Sequence, residues 1–243
     1  MKSIRLVAAA LALGATVPAA AVPNLINNGS FEQGADGFTG WTKINDNIDY
    51  PVVAITYGAA AAYPVGAFGE GIPVDDAVTA SPDAPGERGA YFVSDTAVNQ
   101  TIRQLTFLTP GNYKVGFSAY QPANGAVNPG DASFKGTIVG YTLANFLAST
   151  GTAQNWTSYS GVGHISIAGF YNTDFVFTTL SPGTFGKDFV IDRVYAIATT
   201  EQSTVDIGAP TIGVPEPRTW ALLIVGFGLV GVALRRRTGT VAA

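Results

Sequence analysis

The alternation of apolar and polar residues along the middle of the chain predicts short β-strands. The clearest case is Gly111–Tyr120, in which every second residue from Tyr113 to Ala119 is apolar, so that one face of a strand is buried. Similar runs, bounded by Gly, Pro, Asn and Asp, are Asn24–Phe31, Phe38–Ile44, Pro51–Tyr57, Ala90–Ser94, Gln100–Leu108, Ala132–Tyr141, Trp156–Ser160, His164–Ala168, Asp174–Thr179 and Phe189–Ala198. No amphipathic helical stripe interrupts them. The pattern predicts an all-β domain, an antiparallel β-sandwich or jelly roll, over residues 22–198.

Three stretches break the strand pattern. Residues 58–89 are rich in Ala, Gly and Pro and are predicted to form a long loop. Residues 121–130 are predicted to form a shorter loop. Residues 199–213 are polar and are predicted to be a linker that keeps the domain clear of a membrane.

The N-terminus has the features of a secretory signal peptide. A basic start at Lys2 and Arg5 is followed by an apolar run over residues 6–17. Ala19 and Ala21 fit the small-x-small rule for signal-peptide cleavage, so the predicted cut follows Ala21, and a cut after Ala20 is nearly as good. Residues 1–21 are therefore assigned to secretion and excluded from the fold.

The C-terminus, residues 214–243, has a second ordered set of features: an apolar run follows a Pro-rich acidic motif and precedes a basic cluster. The apolar run over residues 220–234 would form a helix of about 22 Å, shorter than the ~30 Å hydrocarbon core of a bilayer. The basic cluster should stay on the cytoplasmic side. This predicts transient insertion in the inner membrane, with a plain C-terminal anchor as the alternative. The motif and cluster residues are Pro215, Glu216, Pro217, Trp220, Arg235, Arg236 and Arg237.

This tail resembles the PEP-CTERM sorting signal of exopolysaccharide-producing Gram-negative bacteria, in the variant with Trp-Ala after the Pro-Glu-Pro motif. The resemblance implies that the secretion machinery exports the chain and that an exosortase-type membrane protease then cuts near Pro-Glu-Pro. The expected destination is the cell surface or the extracellular matrix of a biofilm.

Removal of both ends changes the charge of the chain. The whole chain has a net charge of −4, but the segment between the two signals keeps seven basic and sixteen acidic residues, which gives about −9. Such a surface excludes nucleic acid as a partner and favours calcium or a neutral or basic polymer. The chain has no cysteine, which excludes disulfides, thiol catalysis and thiolate zinc sites.

Three blocks between the signals resemble galactose-binding-like and related carbohydrate-binding jelly rolls. The first is residues 27–32 (NNGSFE), followed by Gly40-Trp41; the second is the strand–turn–strand of residues 104–120. The third is the closing strand of residues 189–194, where Arg193 replaces the usual Asn or Asp. The resemblance implies a fold and no particular ligand.

The same resemblance implies a structural calcium ion held by Glu32, Asp192 and backbone carbonyls, with Asp188 as a further candidate ligand. Two carboxylates on the first and last strands would tie the sandwich shut, since calcium binds several hard oxygen ligands. The alternative is that Glu32 is a turn residue and that Asp192 pairs with Arg193 or a backbone amide. Asp75-Asp76 is predicted to be a solvated loop.

Sugar binding usually needs exposed aromatic rings together with a few hydrogen-bonding groups. The two tryptophans in strand segments, Trp41 and Trp156, are predicted to pack in the core. Aromatic residues in or beside the two loops are better candidates by location: Tyr57, Tyr63, Phe68 and Tyr120.

No catalytic residue is assigned. The single histidine, His164, lies in a predicted strand, and neither a G-x-S-x-G nor an H-E-x-x-H motif occurs. The sequence therefore predicts a non-catalytic exported protein of the surface or matrix, with a polysaccharide as its candidate ligand. A secreted polysaccharide-acting hydrolase is the alternative.

Overall fold

The computed structural model describes residues 22–73, 79–213 and Phe227. The predicted signal peptide, Asp75-Asp76 and, apart from Phe227, the predicted sorting helix with its arginine cluster lie outside the described residues. Within the described part, no helix is long and apolar enough to cross a bilayer.

The domain is built almost entirely from β-strands. They are β1 (Thr42–Ile44), β2 (Val53–Thr56), β3 (Arg88–Phe92), β4 (Gln100–Leu108), β5 (Gly111–Tyr120), β6 (Ala132–Ile138), β7 (Tyr141–Leu147), β8 (Trp156–Ile165), β9 (Gly169–Thr179), β10 (Phe189–Thr199) and β11 (Ile212–Gly213). One short helix, α1 (Ala123–Ala126), and one 3₁₀ turn, Ala148–Thr150, complete the regular elements of the described part.

The strands form two antiparallel sheets. The first has the order β1-β4-β9-β6-β7, with β11 added beside β9, and the second has the order β2-β3-β10-β5-β8. The chain crosses between the sheets after every strand except β2 and β6, so strands that follow one another mostly lie in different sheets. This arrangement confirms the predicted antiparallel sandwich of jelly-roll type.

The space between the sheets is filled mainly by phenylalanine. Phe117 from the second sheet meets Phe175 from the first edge-on, with ring centroids 5.0 Å apart. Phe134 stacks on Phe189 across the sheets at 5.7 Å. A Cβ atom at Gly136 would come within 2.8 Å of the Phe117 ring, so only glycine fits there. The core is therefore close-packed without any disulfide.

Several predicted strands have the predicted bounds, and one predicted strand is absent. β4 and β5 match residue for residue. Asn24–Phe31 instead forms turns, because Asn28 and Phe31 both adopt positive φ angles, 52° and 57°, which lie outside the β region. Apart from its first residue, which closes the predicted Ala132–Tyr141 run, β7 was not predicted.

The two runs predicted on either side of Gly161 and Gly163 form one long strand, β8. Both glycines are places of close packing: a Cβ atom would come within 2.7 Å of the Tyr141 ring at Gly161 and within 2.4 Å of Ile207 at Gly163. In the sequence, a glycine that makes room for a neighbouring side chain cannot be distinguished from a glycine in a turn.

Residues 199–213, predicted as a free linker, lie along the sandwich. The backbone of His164 donates to Val205 (N···O 2.8 Å) and accepts from Ile207 (2.9 Å). Farther along, Thr211 donates to Phe170 (2.8 Å), and β11 pairs with the start of β9. The hydrogen bonds hold this segment on the domain up to Gly213.

Candidate ligand-binding cleft

Two adjoining depressions lie at one end of the second sheet, where β3 and β5 end and β10 begins. They have volumes of about 300 and 390 Å³ and share Tyr50, Asp95 and Phe185. We call them together the aromatic cleft, defined by Tyr50, Phe68, Asp95, Asn124, Asn128, Phe185 and Asp188.

Aromatic rings line the opening of this cleft. Phe185 is 69% exposed and Phe68 is 44% exposed. Phe68 is held in place by stacking on Tyr63, with centroids 5.5 Å apart and planes 14° from parallel, and it contacts Tyr50 edge-on at 6.2 Å. Exposed rings fixed at the edge of a concave site are suited to stacking on an apolar face of a ligand.

A buried carboxyl group, that of Asp188, lines the cleft. Asp188 is only 2% exposed, and its Oδ2 accepts a hydrogen bond from the Tyr91 hydroxyl at 2.8 Å. Its Oδ1 has no hydrogen-bond partner among the described residues. Burial, aided by the charge of Asp95, raises the pKa of Asp188 to about 7, although the bonds from Tyr91 and the Ser94 amide act against this rise.

The other polar groups of the cleft also present acceptors. The Asn124 side chain uses its Nδ2 to donate to the Phe68 carbonyl (3.3 Å), and Asn128 donates in the same way to Gly186 (2.6 Å). Their carboxamide oxygens and one N–H of each side chain are left for a ligand. Asp95 accepts from the Gly186 amide through Oδ1 at 2.7 Å.

Neighbouring residues fix the positions of these groups. The Glu70 carboxylate accepts from the amides of Ala123 and Asn124, each at 2.9 Å, and so holds the start of α1 against the cleft. Gly125 lets α1 approach Asp188, since a Cβ atom there would come within 2.7 Å of the Asp188 Cβ. The Lys187 ammonium is occupied by backbone carbonyls, and the described lining contains no lysine or arginine.

Apart from the aromatic cleft, a depression of about 470 Å³ lies at residues 24–33 and Asp83–Ala84. We call it the polar cleft. The side chain of Asn28 serves the fold: its Nδ2 donates to the carbonyls of Gly37 (2.9 Å) and Thr39 (3.1 Å), and its Oδ1 accepts from the Gln33 amide (2.9 Å). The buried hydroxyl of Ser30, also in the lining, has no hydrogen-bond partner among the described residues. Apart from the edge residue Leu25, which is 36% exposed, the lining offers no large exposed apolar side chain.

The predicted metal ligands lie near the same stretch of chain, at the start of β3. Glu32 lines the polar cleft, and its Oε1 accepts from the amides of Glu87 and Arg88, each at 2.7 Å. Asp192 is fully buried and accepts from the Tyr57 hydroxyl at 2.6 Å, while the Tyr57 amide donates to the Glu87 carbonyl.

Asp192 also accepts from the backbone amide of Arg193 at 2.6 Å. Within residues 22–73 and 79–213, no three carboxylate or histidine side chains are grouped so that they could hold a metal ion. The oxygens of Glu32 and Asp192 are of the type that calcium binds, and backbone carbonyls would have to complete the set. Calcium binding stays a prediction.

Of the aromatic residues considered for sugar binding, the structure buries some and leaves others exposed. Trp41 lies in the core against Phe31, with centroids 5.4 Å apart. Tyr57 and Tyr120 are buried, at 9% and 3% exposure, and therefore cannot act as surface platforms. Phe68 alone of the four loop candidates lines the aromatic cleft.

Sequence reasoning missed Tyr50, Asp95 and Phe185. All three lie in connections between strands, which have no alternation of apolar and polar residues from which exposure could be predicted. The one signal for Phe185 is its place between Gly183 and Gly186, since an apolar ring in a glycine-rich turn has few neighbours to cover it.

A protein-sorting motif begins at the C-terminal end of the described domain. Residues 213–237 match the PEP-CTERM protein-sorting motif. The chain therefore carries this motif, as the resemblance of Pro215, Glu216 and Pro217 predicted. The motif implies an exported protein that passes through a C-terminal, membrane-anchored sorting step.

The solved structures similar to this chain include carbohydrate-binding modules. TmCBM61 in complex with β-1,4-galactotriose has a TM-score of 0.41 and 18% identity, covering 73% of this chain and 99% of that chain. The CBM22-1 xylan-binding domain from Paenibacillus barcinonensis Xyn10C has a TM-score of 0.39 and 15% identity, covering 76% and 99%.

A further similar structure is the K1 cleaved adhesin domain of Lys-gingipain from Porphyromonas gingivalis, with a TM-score of 0.38 and 16% identity, covering 70% and 96%. At this level of likeness no ligand or site is carried over to this chain. No curated protein matches the sequence.

Proposed function

We propose that this chain is an exported, non-catalytic polysaccharide-binding protein of the cell surface or extracellular matrix, and that it binds its ligand in the aromatic cleft. The observation that carries the proposal is the combination of exposed, fixed rings with a buried carboxyl oxygen that has no partner. The sorting motif supports the location, and calcium at Glu32 and Asp192 would have a structural role.

The arrangement of the cleft fits a sugar chain. A pyranose ring has an apolar face that can stack on Phe185 or Phe68 and an edge of hydroxyl groups that can donate to carboxylate and carboxamide oxygens. The combined depressions lie open to the surface, so an extended chain could pass through with a few units bound.

Release from the membrane belongs to the same proposal. An exosortase-type protease would cut near Pro215–Pro217 and free the domain from residues 220–237. Mass spectrometry of the mature protein should find a chain that begins near Val22 and ends near Pro217. Recovery of Arg235–Arg237 in mature surface protein would indicate a permanent anchor instead.

One observation favours the alternative of a secreted hydrolase. Asp188 and Asp95 both line the cleft, and a carboxyl group with a pKa of about 7 beside a second carboxylate is a pairing that glycosidases use. However, Asp188 is almost fully buried and Asp95 holds the Gly186 amide. Release of reducing ends from a bound polysaccharide, lost in Asp188→Asn, would establish the hydrolase.

A binding measurement with one matched pair of variants tests the main proposal. Phe185→Ala removes a ring from the aromatic cleft, whereas Phe107→Ala removes another exposed ring, from the outer face of β4. We expect calorimetric titration with the polysaccharide fractions of a glycan panel to show at least about tenfold weaker binding for Phe185→Ala, roughly 1.4 kcal/mol. Equal affinities of both variants and the unchanged protein would place the binding site elsewhere.

A further inference from the structure

The aromatic cleft has an excess of hydrogen-bond acceptors over donors. Each of its two asparagine side chains spends one N–H on a backbone carbonyl, that of Phe68 or Gly186, and keeps one N–H and the carboxamide oxygen. Asp188 keeps one oxygen without a partner, and Asp95 can only accept when ionised. A ligand that fits this cleft must therefore bring donors, and an acceptor on the ligand would meet few partners.

We propose that the aromatic cleft selects polysaccharide units that carry a free ammonium group, that is, amino sugars without an N-acetyl group. This inference rests on the proposed function and names its ligand class. An ammonium group supplies three donors and no acceptor, which matches the lining. An N-acetyl group removes the charge and adds a carbonyl acceptor.

The charges around the cleft also favour a ligand with a positive charge. Asp95 and Asp188 line it, and the Glu70 carboxylate, which contacts the start of α1, is close enough to help raise the pKa of Tyr91 and of Tyr120. The nearest basic side chain, Lys187, donates to the carbonyls of Ala126 and Asn128 and is not part of the lining.

The rings and the buried carboxyl group act together on such a ligand. A cation close to the face of Phe185, Phe68 or Tyr50 is attracted by the ring quadrupole. The free Oδ1 of Asp188 could then accept a charge-assisted hydrogen bond, which is shorter and stronger than a bond from a neutral hydroxyl. A neutral sugar would use the rings and leave the carboxylate without a counter-charge.

Calorimetric titration near pH 7 with three matched oligosaccharides tests the proposal: a β-1,4-glucosamine oligomer, its fully N-acetylated form and a β-1,4-glucan of the same length. We expect the glucosamine oligomer to bind at least about tenfold more tightly than the other two. The preference should shrink as salt rises from roughly 50 to 500 mM, because the Debye length shortens.

Variants show whether the preference arises in the cleft. Asp188→Asn and Asp95→Asn keep the side-chain shape but cannot carry a negative charge, and each should weaken binding of glucosamine about tenfold more than binding of glucan. Glu201→Gln removes the same charge beyond the far end of β10, where Glu201 pairs with Lys114, and should change nothing.

The outcomes separate the two proposals. Binding of glucan or the N-acetylated oligomer as tight as that of glucosamine overturns the inference and leaves polysaccharide binding intact. A preference that both cleft variants keep, or that Glu201→Gln reduces as much, also overturns it, because overall charge would then be the cause. Absence of binding to every polysaccharide overturns the proposed function itself.

Discussion

The polar cleft and the aromatic cleft differ in what their side chains do. The polar cleft is the larger, at about 470 Å³, yet Asn28 uses both its amino group and its oxygen to hold the turns of residues 28–39. The aromatic cleft leaves Phe185 exposed and one oxygen of Asp188 without a partner.

This difference shows that the size of a depression says little about its use. A polar group with all its hydrogen bonds made inside the protein gains little from a ligand. A buried group without a partner, or an exposed ring, has free energy to gain when a ligand covers it. Four experiments test this difference between the two clefts.

Asn28→Ala should have the largest effect, and the effect should be on stability. It would leave the buried carbonyl of Gly37 and the Gln33 amide without partners and put alanine at a φ of 52°. At about 1–3 kcal/mol for each unsatisfied group, we expect a loss of about 4–5 kcal/mol. For a domain of this size, thermal melting should then fall by about 8–20 °C. A melting point within about 3 °C of the unchanged protein would contradict this structural role.

Asp188 should make stability depend on pH in an unusual direction for an aspartate. Its pKa is raised to about 7, so between pH 4 and 7 the native state keeps a proton that the unfolded chain loses. Stability should therefore decrease as pH rises through this range, by up to about 4 kcal/mol at about 1.4 kcal/mol per pKa unit.

The control for this experiment is Asp188→Asn, which still accepts from the Tyr91 hydroxyl and cannot ionise. Denaturant unfolding at several pH values should show that the variant loses this decrease. Parallel pH profiles for the two proteins would mean that Asp188 does not hold a proton in the native state.

Calcium should have an intermediate effect, if Glu32 and Asp192 bind it. At a 100-fold excess over Kd, binding adds roughly 2.7 kcal/mol, and chelation should lower the melting point by several degrees. Glu32→Gln and Asp192→Asn should each abolish this dependence. Identical melting curves with calcium and with chelator would assign both carboxylates to the backbone and hydroxyl donors that they already contact.

Asn124→Ala should have the smallest effect on stability. Asn124 is exposed and its side chain makes one hydrogen bond, to the Phe68 carbonyl, so the expected loss is below about 1 kcal/mol. Affinity for the ligand should still decrease, because the variant lacks the carboxamide oxygen. A large drop in melting point would show that the aromatic cleft, like the polar cleft, serves the fold.

Local pattern predicted much of the sandwich. Apolar residues alternate with polar or small ones from Tyr113 to Ala119 of β5, and the bounds of this strand were predicted without error, although the structure buries both faces of its second half. The same reasoning failed at Asn24–Phe31, where residues that favour strands instead form turns held by the side chain of Asn28. A carboxamide that bonds to carbonyls five, nine and eleven residues away leaves no periodic trace.

The aromatic cleft could not have been predicted in this way. Its residues come from five connections, and their chemistry depends on burial that only the packed sheets produce. Asp188 differs from other aspartates because α1 and Tyr91 pack against it.

The all-β class and the C-terminal sorting motif could be predicted from the amino-acid order alone, because strand alternation and a sorting signal are both local patterns along the chain. Which aromatic residues are buried, where residues 199–213 lie and which buried carboxyl oxygen has no partner among the described residues follow only from the folded arrangement. These properties depend on contacts between residues far apart in sequence. Asp188, for example, bonds to Tyr91, which lies 97 residues before it.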